Sequence, residues 1–140
     1  MEWEQLAQHL GSAGLATLAT ASSDGRPHVS IVSPAVEDDV LWFGTWANAG
    51  KVRNLAENPQ VALMWRPGAE IYLRGSATLV PDVDEKRRVW DLRLFPYDQE
   101  GFFLSPDNPD LLYVRVRPYS ASMFSQTPVG LSRKFWRRDE

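Results

Sequence analysis

At 140 residues, with 44% hydrophobic content and no cysteine, the chain has the size of one ordinary domain and can bury a core; disulfides, thiolate metal sites and a cysteine nucleophile are excluded. A formal net charge of -3 gives no global field for nucleic acid or an anionic membrane surface. No apolar run approaches the roughly 20 residues of a spanning helix, and the opening MEWEQLAQHLG is acidic and amphipathic rather than signal-like, so the expectation is one soluble, cytoplasmic domain over residues 1–140.

Trp3, Leu6, Ala7 and Leu10 recur at helical spacing, with Gly11 and Gly14 available to end that helix. LATLAT (Leu15 to Thr20) reads as a short strand, followed by a hairpin turn at Asp24-Gly25 and Pro27. HVSIVS then alternates on a two-residue period, EDD interrupts it and VLWFGT resumes, which predicts a three-stranded antiparallel meander. After a short helix stopped by Asn58-Pro59, QVALMW predicts a strand. Arg66-Pro67-Gly68 turns it into a long partner, EIYLRGSATLV, with Gly75 as a candidate bulge. Asp82 and Glu85 have capping-box spacing and open a helix through about Leu94. FPYDQEGFFLSPDNPD reads as a long loop, a length often reserved for function, and LLYVRVRP and SASMF as the last clear strands. The pattern is mainly β with short helices, and it favours an antiparallel barrel over a parallel layered sheet.

Constellations that would carry chemistry unaided are missing. His9 and His28 have no acid at ligand spacing beside them, so both read as structural or solvated, and no metal site is assigned. There is no G-x-S-x-G elbow, Walker loop or G-x-G-x-x-G turn. No catalytic acid or base is assigned, and any difficult chemistry belongs to a cofactor. Trp42 and Trp65 read as core, Trp90 as the buried face of its helix, and Trp46 as the best tryptophan for a cleft.

One stretch, FGTWANAGKVRNLAENP, carries its charges in the reverse of the usual order. Lys51 and Arg53 stand at the positive end of the short helix and Glu57 at its negative end. Each inversion costs roughly 0.3–1 kcal/mol at an exposed position, and a bound anion removes the conflict. Thr45 adds a hydroxyl, and ANAG leaves backbone N–H groups unshielded where the helix begins. Val52, Leu55 and Ala56 share one face, bordered by Lys51, whereas Arg53 is rotated by about 200° from Lys51. Lys51 is therefore the first choice for a phosphate contact and Arg53 the second. A surface helix with two solvated bases explains the residues equally well.

Taken in order, DGRPHVSIVSP, LWFGTWANAGKVRNLAENPQVALMW and YLRGSATLV resemble the pyridoxamine 5′-phosphate oxidase-like FMN-binding split-barrel family. SPDNPDLLYVRVRP resembles in particular its small bacterial general-stress-protein branch. The resemblance spans roughly residues 13 to 125 and rests on the ordered set, not on one motif. It implies a six-stranded antiparallel split β-barrel that forms a homodimer, with one FMN in each of two clefts between subunits. It also implies that Ser30, Ile31 and Val32 lie along the isoalloxazine and that Thr45, Gly50 and Lys51 hold the phosphate. Glu70 falls where related oxidases place a glutamine reaching the flavin from the partner subunit; an acid cannot donate there unless protonated. Phe124 falls where the family often has a tryptophan beside the flavin, and Lys134 at the second arginine of the RLHDRF element of the true oxidases.

Gly130 and Ser132 replace the arginine and histidine with which those oxidases grip their substrate, so vitamin B6 oxidation is not expected. Ser30 likewise replaces an arginine that often assists the phosphate site. The expected function is transfer of hydride or electrons between FMN and a small acceptor. Two alternatives stand beside it: a reductase using the deazaflavin coenzyme F420 on the same fold, and a non-enzymatic flavin-binding stress protein. The tail SRKFWRRDE interleaves bases and aromatics, and reads as a strand edge with a solvated basic end before it reads as a nucleic-acid site.

Overall fold

The fold is given by a computed structural model that describes residues 1–66 and 68–139. The N-terminal apolar spacing forms helix α1 (Trp3–Ala13), which buries Leu6 and Leu10 and stops at Gly14, whose φ of 76° suits glycine. Gly11 lies inside this helix and does not end it. Trp3 fastens α1 to the barrel: its Nε1 donates to the Asp38 carbonyl at 2.7 Å, and its ring lies 5.0 Å from that of Trp136.

The strands are β1 (Ala16–Ala21), β2 (Pro27–Val32), β3 (Ala35–Glu37), β4 (Val40–Trp46), β5 (Gln60–Trp65), β6 (Glu70–Val80), β7 (Leu111–Thr127) and β8 (Gly130–Arg137). All pairings are antiparallel, in the order β2-β1-β5-β6-β7-β4-β3, and β8 adds to β7. The sheet curls until β2 and β4, far apart in that order, come into contact, closing a barrel around Leu18, Phe43, Leu63, Trp65, Leu73 and Val114. Helix α2 (Gly50–Glu57) packs by Leu55 and by a hydrogen bond from Asn54 Nδ2 to Thr20 Oγ1 at 3.0 Å. No described helix is long and apolar enough to cross a membrane.

The observed strands number eight where the resemblance implies six. The additions are β3, a three-residue strand beside β4, and β8 at the C-terminus. The expected meander forms only in part. β2 pairs with β1, but Pro34 lacks the N–H needed to extend the ladder, and β4 instead pairs with β3 and β7 at the far end of the sheet. LLYVRVRP and SASMF are one 17-residue strand rather than two. Pro118 stands opposite Gly75 where β6 and β7 shift register, so the missing donor falls at a bulge. There β7 also changes edge partner, from β4 before it to β8 after it. The expected turn at Arg66-Pro67-Gly68 includes Pro67, which lies outside the described residues.

A second core lies on the outer face of β4 and β7. Leu41, Trp42 and Phe43 are all buried because β4 is covered on both sides: Leu41 and Phe43 face the barrel, while Trp42 faces helix α3 (Val83–Asp91) with Val89, Trp90 and Tyr113. Asp82 caps α3 by accepting from the Glu85 N–H at 2.9 Å, and the helix ends at Asp91, short of Leu94. Part of the expected long loop is a short helix, α4 (Gln99–Phe103), capped by Asp98 and held over the sheet by buried Phe103.

Candidate cofactor-binding cleft

The alternation of β4 sets the site. Thr45 is turned inward and only 6% exposed, while Trp46 is turned outward and 42% exposed. The chain then folds back, with the Ala49 N–H donating to the Trp46 carbonyl at 3.0 Å, and α2 starts at Gly50. Ala49 is the N-cap residue and has no side chain to accept from the first helical N–H groups, so that end of α2 keeps unmet donors. The turn brings Lys51 Nζ to 3.4 Å from Thr45 Oγ1. Arg53 bends back over the same turn, its Nη1 donating to the Asn48 carbonyl at 3.2 Å. Burial holds the Lys51 amine below its ordinary pKa, and no carboxylate offsets that loss of water.

A cleft of about 380 Å³ opens beside this turn. The cleft is lined by Ile31 and Val32 of β2 with Ser33 after them, by Gly44 to Trp46 with Lys51, and by Pro96, Tyr97, Phe102 and Phe103, together with Leu15. The Trp46 and Phe103 rings meet at 4.6 Å. Tyr97 Oη in the aromatic wall is buried without a hydrogen-bond partner among the described residues, and so is Ser30 Oγ on β2, outside the cleft lining. Burial raises the Tyr97 pKa to about 12, so the phenol keeps its proton.

Of the residues singled out in the sequence, Ile31, Val32, Thr45, Trp46 and Lys51 line one cleft. Ser30 lies on β2 with its hydroxyl buried, and Gly50 and Arg53 stand at the adjoining helix mouth. Glu70, Phe124 and Lys134 are placed elsewhere and do not line the cleft within one chain. Glu70 faces Phe124 across β6 and β7, accepts from Tyr72 Oη at 3.0 Å, and is close to the Phe124 ring through Tyr72. Lys134 is opposite Met123 on β8, next to Arg133, whose guanidinium lies 5.0 Å from the Phe124 ring.

Sequence reasoning misses the aromatic wall and Leu15. The signal was the aromatic density of Phe95, Tyr97, Phe102 and Phe103 in a stretch read only as loop. It also leaves His28 as a structural or solvated residue; its imidazole lies beside Gly50 at the start of α2. Trp42, Trp65 and Trp90 are core as expected, at 1%, 1% and 4% exposure. The basic tail is mostly strand β8; Arg138 beyond it donates to Asp39 Oδ2 at 2.7 Å, and Glu140 lies outside the described residues. Among the described residues no group of three His, Asp or Glu side chains is placed to hold a metal ion.

Comparison with known proteins places this geometry in a family. No curated protein sequence matches the chain. Among solved structures, General Stress Protein 26 from Bacillus anthracis str. Sterne superimposes with a TM-score of 0.74 at 20% identity, covering 96% of this chain and 97% of that one. A pyridoxamine 5′-phosphate oxidase-related, FMN binding protein from Nostoc punctiforme gives 0.63 at 17% identity, with 96% and 95% covered. An F420 reductase gives 0.63 at 27% identity, with 81% and 93% covered. The profile of the pyridoxamine 5′-phosphate oxidase family matches residues 3–124, most of the sequence. On that match, and with the split-barrel fold it shares with these structures, the chain belongs to the pyridoxamine 5′-phosphate oxidase family.

Proposed function

We propose that the protein is a flavin-dependent oxidoreductase that holds FMN in the cleft between β2, β4 and α4. The carrying observation is the Thr45–Lys51 pair: a half-buried ammonium and a hydroxyl at the uncapped start of a helix, opening onto a flat apolar cleft. A phosphate there receives charge-assisted hydrogen bonds from Lys51, further donors from Thr45 and the Gly50 end of α2, and a second cation in Arg53. Bound flavin would supply two-electron exchange with a small acceptor. The chain contributes binding and water exclusion: the β2 segment at Ile31 and Val32 and the aromatic wall of Tyr97, Phe102 and Phe103 would enclose the flavin, and the Tyr97 hydroxyl, without a partner among the described residues, would be a polar group in the cleft wall.

The working form in this reading is a homodimer. Ile31, Trp46 and Phe102 line the cleft yet are 62%, 42% and 59% exposed, and Leu15 and Val29 nearby are 62% and 68% exposed. Such apolar exposure favours a covering partner. A second copy would also bring Glu70, Phe124 and Lys134 toward the cofactor. Gly130 and Ser132 on β8 supply neither guanidinium nor imidazole, so pyridoxamine phosphate is not the substrate in this reading.

One other reading has a specific observation in its favour. The 27% identity to an F420 reductase, together with Arg133, Lys134 and Arg137 on β8, supports the deazaflavin coenzyme F420 with its acidic tail in place of FMN. The purified protein and its Lys51→Ala variant, each reconstituted with FMN or F420, separate the two. The proposal expects a yellow wild-type protein that binds FMN and a Lys51→Ala variant that loses it. Uptake of F420 alone moves the assignment to the deazaflavin, and uptake of neither overturns both. A holoprotein that, once reduced, passes electrons to no acceptor leaves the non-enzymatic flavin binder.

A further inference from the structure

Gly50 is the first residue of α2, and the space its missing side chain leaves is bordered by two nitrogen-bearing groups from different elements. A Cβ there would stand 3.4 Å from His28 Nε2 on β2 and 3.6 Å from Arg53 Nη2 on α2. The two nitrogens therefore both lie beside Gly50 at the positive end of the helix. Lys51 follows in the chain, with its Nζ 3.4 Å from Thr45 Oγ1. The charged group from α2 beside the imidazole is Arg53, Lys51 follows Gly50 in the chain, and Thr20, the cross-strand neighbour of His28 on β1, is uncharged. Asp24 in the hairpin turn is occupied by Arg26, so no carboxylate is shown balancing this end of α2.

Resting on the reading of this turn as a phosphate site, we propose that His28 is a further phosphate-binding residue, its Nε2–H donating beside Gly50 to the same anion held by Lys51 and Thr45. An imidazole donates from Nε2 when protonated and also in one neutral tautomer, so the contact does not depend on full ionisation. Position explains why β2 can supply it. His28, Ser30 and Val32 alternate onto one strand face, and exposure decreases along it from exposed His28 through half-buried Ser30 to buried Val32. The face thus runs from an outer donor at the helix mouth to the apolar interior. Gly50 leaves the approach between the two groups unobstructed: a Cβ there would already touch His28 Nε2 and Arg53 Nη2, so a longer side chain would crowd both nitrogens.

The test compares FMN with riboflavin, which lacks the phosphate, on the full chain. Binding is measured by flavin fluorescence for wild type, His28→Ala, His28→Gln and Lys51→Ala, with folding checked by thermal unfolding. His28→Ala is expected to weaken FMN about five- to twentyfold and leave riboflavin unchanged, as for loss of one hydrogen bond to a charged acceptor. His28→Gln keeps an N–H near the lost nitrogen and is expected to restore most of the affinity. Equal weakening of FMN and riboflavin would mean that His28 only shapes the strand, and an unchanged FMN affinity in His28→Ala would exclude it; either result overturns the inference. If Lys51→Ala weakens FMN while His28→Ala does not, the phosphate site stands without His28. If wild type distinguishes neither FMN nor F420 from riboflavin, the site reading itself fails and the inference with it.

Discussion

Gly44 on β4 and Tyr97 in the segment before α4 meet at close range: a Cβ on Gly44 would stand 3.0 Å from Tyr97 Oη and 3.3 Å from Tyr113 Cε1. Both tyrosines belong to a packed aromatic set, with Phe95 5.4 Å from Tyr97 and 5.9 Å from Tyr113 between ring centres, so neither can retreat inward. Gly44→Ala is expected to push Tyr97 toward the cleft, weaken FMN binding several-fold and cost about 1–3 kcal/mol of stability. The blocking atom is the Tyr97 hydroxyl, which has no hydrogen-bond partner among the described residues. Tyr97→Phe should therefore be nearly neutral by itself and should rescue Gly44→Ala, as read from urea midpoints of the two single variants and the double variant.

Thr45 tests the phosphate turn without removing a charge. Valine keeps the branched shape at this 6% exposed position but deletes the Oγ1 that faces Lys51 Nζ. Thr45→Val is expected to weaken FMN about five- to tenfold by fluorescence titration, with riboflavin affinity unchanged.

Arg88 joins α3 to β3, donating to Glu37 at 2.7 and 3.1 Å and to Glu85 at 2.8 Å. The hydrogen bonds to Glu37, from Arg88 first and then from Trp42 Nε1, hold its carboxyl below its ordinary pKa of 4.5. A carboxylate with a lowered folded-state pKa adds stability above 4.5 and loses it as pH falls through the lowered value. Wild type should therefore lose more unfolding free energy than Arg88→Ala between pH 5 and pH 3 in urea titrations. The side chains are 45% and 21% exposed, so solvent screening limits the gap at neutral pH to about 1 kcal/mol.

Gly75 marks the bulge between β6 and β7. A Cβ there would lie 2.7 Å from Val116 Cγ1 and 2.9 Å from the Arg117 carbonyl oxygen, and the second contact is backbone that cannot swing away. Gly75→Ala is expected to cost about 1–3 kcal/mol by denaturant midpoint, with the slope of the transition unchanged.

Trp42 and Trp65 are equally buried at 1% exposure, but only Trp42 has a partner for its indole N–H, Glu37 Oε1 at 2.9 Å. Replacing each by phenylalanine removes similar volume, so the difference isolates the hydrogen bond. Trp42→Phe should cost about 1 kcal/mol more than Trp65→Phe in equilibrium unfolding.

Much of this was legible in local pattern. Two-residue alternation in β1, β2, β5 and β6, the Asp82 cap of α3, and the Gly75 bulge follow from constraints acting over a few residues. So does the inverted charge order of Lys51, Arg53 and Glu57, on which the proposed phosphate site draws. Pairing across the sheet was not legible in the same way: β4 leaves β2 for β7, about 70 residues further on, because partner choice depends on how a closed sheet buries both faces of Leu41–Phe43. The aromatic wall and the place of His28 at the mouth of α2 had the same cause. Their residue types are ordinary, and only the long-range path of the chain brings β2, β4, α2 and the segment around Tyr97 to one cleft.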